Sequence, residues 1–89
     1  MSIDNQTQVE SLLESLEKSE ELIRTIKHRD DRKFVYECLS GVPGDDRITL
    51  VNQYLVQFQQ GSEAEPGPIK SENAGRYRAN TWLRERNEK

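Results

Sequence analysis

The stretch DDRITLVNQYLVQFQQ, Asp45 to Gln60, decides the fold. Ile48, Leu50, Val51, Tyr54, Leu55 and Phe58 fall on one broad face if the chain turns as an α-helix. Neither proline nor glycine interrupts them. The spacing predicts a helix over about residues 46–60, capped by Asp45 or Asp46 and supplying most of the core. Its opposite face is unusual for this chain. Asn52, Gln53, Gln57, Gln59 and Gln60 are all neutral, where a solvated face elsewhere carries Glu and Lys. Neutral amides enter an interface without the desolvation cost of a charge. A Gln-rich solvent face is the plainer alternative.

Upstream, residues 7–28 read as an amphipathic helix with Val9, Leu12, Leu13, Leu16, Ile23 and Ile26 at helical spacing. Thr7 with Glu10 fits a capping box. Glu14–Lys18 and Glu20–Arg24 are favourable pairs four residues apart. The series Val9, Leu12, Leu16, Ser19, Ile23, Ile26 also forms a short coiled-coil-like seam with Ser19 as its weak point. It suits ordinary bundle packing, with self-association as the alternative. Phe34, Val35, Cys38 and Leu39 form a second cluster, out of phase with the first stripe, so a bend is expected near Arg29–Asp31. Asp30 or Asp31 caps the new helix, Gly41 ends it, and Pro43-Gly44 makes a turn. Phe34, Val35, Leu39, Ile48, Val51, Leu55 and Phe58 are the expected core.

Downstream, residues 61–70 hold two prolines and two glycines and read as a linker. Residues 71–89 follow as a basic segment that Ser71 can cap. The charge is divided accordingly. Residues 1–69 carry 7 basic and 13 acidic groups, a net of −6, and residues 70–89 carry 6 and 3, a net of +3. The acidic body argues against nonspecific DNA binding over the whole surface.

On a helical wheel the basic segment separates. Ala79, Trp82 and Leu83 share one side with Gly75, while Arg76 and Arg84 lie away from it near Tyr77. Arg78 and Arg86 sit at its borders. Four arginines without a common stripe suit a docking helix better than a phosphate-reading one. Trp and Arg are frequent interface anchors. Trp82, Leu83, Arg78 and Arg86, with Gln53, Gln57 and Gln60, are therefore the candidate contact residues for a second copy or another protein. The alternative is nucleic-acid contact through Arg76, Tyr77, Arg78, Arg84 and Arg86, with the aromatics stacking on bases. Within this region AEPGPIKSENAGRYRANTWLRE, Ala64 to Glu85, resembles the end of small uncharacterised proteins of temperate tailed phages and prophages. That resemblance covers about a quarter of the chain. It implies an accessory phage protein, near replication or regulation genes, and carries no catalytic motif.

Other chemistry finds little footing. His28-Arg29-Asp30 matches three letters of a kinase catalytic loop but has none of its companions. His28 reads instead as a favourable charge near a helix C-terminus. One His and one Cys cannot make a usual zinc site, and Cys38 reads as a small core residue. Asp30-Asp31 and Asp45-Asp46 lack the alternating ligands of a calcium loop. The expectation is a non-enzyme with no cofactor, no metal and no small-molecule ligand. With 89 residues and 33% hydrophobic content the chain allows one small domain. A lone cysteine, an N-terminus without a signal pattern and no membrane-length apolar run point to the cytoplasm. The predicted fold is all-α: a three-helix bundle over 1–60, a Pro/Gly linker over 61–70, and a helical or partly ordered segment over 71–89.

Overall fold

A computed structural model describes residues 3–87, with the side chains of 3–9, 11 and 12 outside the description. The described residues form four helices: α1 (Ile3–Arg24), α2 (Arg29–Leu39), α3 (Gly44–Glu63) and α4 (Pro68–Asn87). The all-α class holds, and the bundle has four members rather than three. The fourth is the basic C-terminal segment, which packs along α3 throughout its length.

Direction follows from a few contacts. Ser15 on α1 donates to Asp45 at the start of α3 (2.7 Å), and Ile26 shares a groove with Phe58 near the end of α3. Hence α1 and α3 run parallel. Gly61 faces Gly75, and Tyr54 meets Asn80, so α4 returns antiparallel to α3. The short α2 carries the chain back between α1 and α3 and packs on α4. Ile23, Ile26, Val35, Cys38, Leu39, Leu50, Val51, Tyr54, Ala79 and Leu83 make one buried cluster. Full burial of one large apolar side chain contributes roughly 1.5–3 kcal/mol. Phe34, Leu55, Phe58 and Trp82 pack against this cluster half-buried, and Ile48 is half-buried outside it.

Several boundaries differ from the sequence reading. The expected linker shrinks to residues 64–67. Gly61 stays in α3 because α4 crosses there, and Pro68 opens α4, where its missing N–H costs no hydrogen bond and its fixed φ suits a helix. Ser71 is therefore in the first turn of α4, not its cap. Its hydroxyl donates to the Ser62 carbonyl (2.8 Å) and meets the Ser62 hydroxyl across the hairpin. The first helix begins at Ile3, so Thr7 is interior rather than a cap; its side chain lies outside the described residues. The break comes at 25–28, ahead of the expected bend, and Arg32 Nη1 ties it down by donating to the Ile26 and Lys27 carbonyls (2.6 and 3.1 Å).

The expected Asp caps are displaced too. His28 is the N-cap of α2 and Pro43 that of α3. Asp30, Asp31, Asp45 and Asp46 occupy first turns, where a negative charge still faces the positive helix end. Gly44 starts α3 instead of closing a turn. Gly41, with φ +84°, reverses the chain after α2 in the left-handed conformation that a side chain disfavours. Ser19, the seam's expected weak point, is 1% exposed and donates to the Leu16 carbonyl (2.8 Å), so it joins the core without an orphaned hydroxyl.

Candidate interaction surface on the α3–α4 hairpin

The hairpin is held by two kinds of contact. Near its closed end, beside the 64–67 connection, the helices touch backbone to backbone. A Cβ on Gly75 would stand 2.7 Å from the Phe58 carbonyl oxygen, and one on Gly61 would stand 2.7 Å from the Ala74 carbonyl oxygen. Only glycine permits that approach. Further along, a polar chain runs inward from solvent. Tyr54, fully buried, donates its hydroxyl to Asn80 Oδ1 (2.6 Å). Asn80 Nδ2 donates to Asp31 Oδ1 (3.0 Å), and Arg76 Nε donates to Asp31 Oδ2 (2.7 Å).

The electrostatics follow from burial and partners. Burial raises the Asp31 carboxyl, but hydrogen bonds from Arg76 and Asn80 and the nearby positive charges outweigh it and hold it below its ordinary value. Burial, reinforced by the Asp31 charge, pushes the Tyr54 phenol far above its usual range. The Asp31 hydrogen bond raises Arg76 further. Burial and Glu37 raise the Cys38 thiol, with Arg84 partly opposing them, so this cysteine is a protonated core residue at neutral pH. His28 does not serve a helix C-terminus: α1 has already ended, and the ring lies 3.0 Å from Glu72 of α4. Hydrogen bonds from Lys27 and His28 lower Glu72.

The candidate contact residues divide. Leu83 is 3% exposed and belongs to the core. The remaining six gather on one surface of the hairpin. Arg78, Trp82 and Arg86 follow at steps of four, forming one stripe of α4. Gln53, Gln57 and Gln60 form the adjoining stripe of α3. The stripes are joined directly, since Arg78 Nε donates to Gln57 Oε1 (2.9 Å) and Nη2 to Gln60 Oε1 (2.8 Å). Trp82 lies half-buried between the two arginines. Val56, absent from the sequence reading, shares the α3 stripe and is 48% exposed.

The alternative nucleic-acid set does not converge. Arg76 is bound to Asp31 on the α2 side of α4, about 200° around the helix from Arg78. Tyr77, 75% exposed, and Arg84 share a third side.

Sequence reasoning missed the Tyr54–Asn80–Asp31–Arg76 chain and the packing role of Gly61. Asp31 was legible only as an acid at a helix start, and nothing local to it points to residues more than forty positions away. Among the described residues, no group of three or more His, Cys, Asp or Glu could hold a metal ion, and no helix is long and apolar enough to cross a membrane. Comparison with protein-family models, curated proteins and solved structures finds no match to this chain.

Proposed function

We propose that this chain is a non-enzymatic protein-interaction module whose contact surface is the α3–α4 face of Gln53, Gln57, Gln60, Arg78, Trp82 and Arg86. One observation carries the reading: a half-buried tryptophan flanked by two arginines on a face whose α3 side is neutral amide. Such a face buries with little charge desolvation, and its aromatic centre supplies an anchor. The arginine already held by two glutamines is pre-ordered, which lowers the entropic cost of contact. The proposal extends to a cytoplasmic home, because the single thiol is buried and unpaired. The resemblance of Ala64–Glu85 adds an accessory role in a phage or prophage.

A photoreactive side chain at Gln53 in the intact chain, in its native cells, tests the face. It should cross-link to protein, either a second copy or another chain, and Trp82→Ala should abolish the adduct. Yields no greater than from the same probe at Lys33, on α2, would overturn the assignment.

A second reading draws on Tyr77 and Arg84, both exposed and seven residues apart on α4. Together they could meet a phosphate and an unpaired base. Binding of labelled DNA or RNA would then weaken steeply with salt. Absence of binding at low salt disposes of it.

A further inference from the structure

Arg78 is held in place on the α3–α4 face with no acid beside it. Its stem rises where α4 crosses closest to α3, since a Cβ on Gly61 would stand 3.0 Å from Arg78 Cβ. From there Nε donates to Gln57 Oε1 (2.9 Å) and Nη2 to Gln60 Oε1 (2.8 Å). Among the described residues its guanidinium makes no ion pair. The α4 residues one turn away are Ala74, Gly75, Thr81 and Trp82. On α3, Glu63 follows Gln60 by three residues but accepts from Gln59 (3.1 Å).

An arginine has donors and no acceptor, so it fixes which way both amides face. Each glutamine turns its oxygen to Arg78, and its NH2 group is thereby turned away. The guanidinium uses two of its five N–H groups in these bonds. What the cluster presents outward is N–H donors around one positive charge, with the amide oxygens already engaged. Such a patch takes an oxyanion, because a charge-assisted hydrogen bond is about twice as strong as a neutral one. Apolar surface adjoins it. Trp82, half-buried, lies one turn further along α4, and Val56, 48% exposed, lies one turn of α3 from Gln60. The oxyanion and an apolar group thus have places about 6 Å apart, at 1.5 Å per residue.

We infer that Arg78, Gln57 and Gln60 form a carboxylate-binding site, and that the face takes a helix of another protein bearing Asp or Glu one turn from an apolar residue. The acid lies on Arg78 and the apolar residue on Trp82. The inference rests on the α3–α4 face being the contact surface and names what occupies it. A second copy offering the same face would set arginine against arginine. A nucleic acid fits less well. Arg76 is bound to Asp31 and Arg84 lies on a third side of α4, while the net −6 of residues 1–69 repels a phosphate chain.

The probe is an acetylated, amidated alanine-rich peptide with Glu and Leu one turn apart. It is titrated into the full chain and followed by the Arg78 Nε–H and the Gln57 and Gln60 side-chain NH2 resonances. These signals should shift together, and the same peptide with Gln in place of Glu should bind about tenfold more weakly. Gln57→Glu supplies the carboxylate from within. It should leave the urea midpoint at or above that of the parent and weaken the Glu peptide about tenfold. Equal binding of the two peptides overturns the inference, as does binding indifferent to Gln57→Glu or an absence of shifts at Arg78. Tighter binding of a short oligothymidylate at the same signals also overturns it, in favour of phosphate. Cross-linking from Gln53 in native cells separates the inference from the face itself. An adduct that survives Gln57→Glu leaves the face standing and sinks its acidic partner. An adduct of two copies overturns the foreign helix. Peptide shifts at Arg78 without any adduct sink the face and leave only the carboxylate site.

Discussion

Gly75→Ala should destabilise the protein by about 1–3 kcal/mol, against the direction that helix propensity dictates. In an exposed helix interior, alanine is more favourable than glycine by about 1 kcal/mol. Here the added carbon would stand 2.7 Å from the Phe58 carbonyl oxygen and 3.0 Å from ring carbons Cδ1 and Cε1. The ring can rotate, but the carbonyl belongs to the α3 backbone. Relief needs the helices to separate by about half an ångström, which loosens packing from Ala79 to Leu83, and overpacking of this kind costs about 1–3 kcal/mol even after relaxation. Gly61→Ala meets the Ala74 carbonyl at 2.7 Å and the Gly75 Cα at 3.1 Å, at the same crossing. Once one substitution has parted the helices the other costs less, so the double variant should lose less than the sum. Urea unfolding followed by helicity and by emission of Trp82 gives the free energies. A Gly75→Ala protein as stable as its parent, or more so, would refute close approach as the reason for this glycine.

Three other outcomes are expected. Asp31 has a folded pKa below its unfolded 3.8, so its contribution is complete above that value and fades as pH falls from it through the lowered folded pKa. Urea midpoints from about pH 6 to about pH 2.5 should show wild type losing its advantage over Asp31→Asn only at the acid end; a constant gap contradicts the linkage. Tyr54→Phe should cost about 1 kcal/mol, through the lost hydroxyl donor to Asn80, and almost nothing in an Asn80→Ala background. Equal losses in both backgrounds would mean the two do not interact. Arg78→Ala should change stability by less than about 1 kcal/mol, its contacts being exposed, while removing the Gln53 cross-link; a larger stability loss would make Arg78 structural rather than an interface residue.

The helical class and the α3 core were legible because apolar spacing is a local signal. Val35, Leu39 and Val51 were expected in the core and are buried there, and the small face of Gly75 and Ala79 does permit close approach. What was not legible depends on contacts across the chain. Gly61 and Pro68 look like linker residues, and by propensity they are. They stand in helices because one lies at a backbone crossing and the other at a first helical position. Asp31 and Ser71 carry the marks of caps, but their side chains find partners on other helices instead. The hydrogen bonds of Arg78 to Gln57 and Gln60 depend on the pairing of α3 with α4, a relation that no single stretch encodes.

The arginines of α4 perform separate tasks, and this bears on whether the helix can leave the bundle. Arg76 and Asn80 hold a carboxylate that is 4% exposed, so lifting α4 away would strip Asp31 of its partners and break the backbone crossing at Gly61 and Gly75. Breaking a buried ion pair costs about 3–5 kcal/mol where the charge stays buried. Rehydration of Asp31 lowers that cost, but the apolar contacts of Ala79 and Leu83 are then lost as well. The basic segment is therefore a structural helix first. Arg84 and Arg86 remain exposed, and Arg78 is held on the outer face. Any partner must accordingly bind α4 in place, reading the surface the hairpin presents instead of drawing the helix out as a tail.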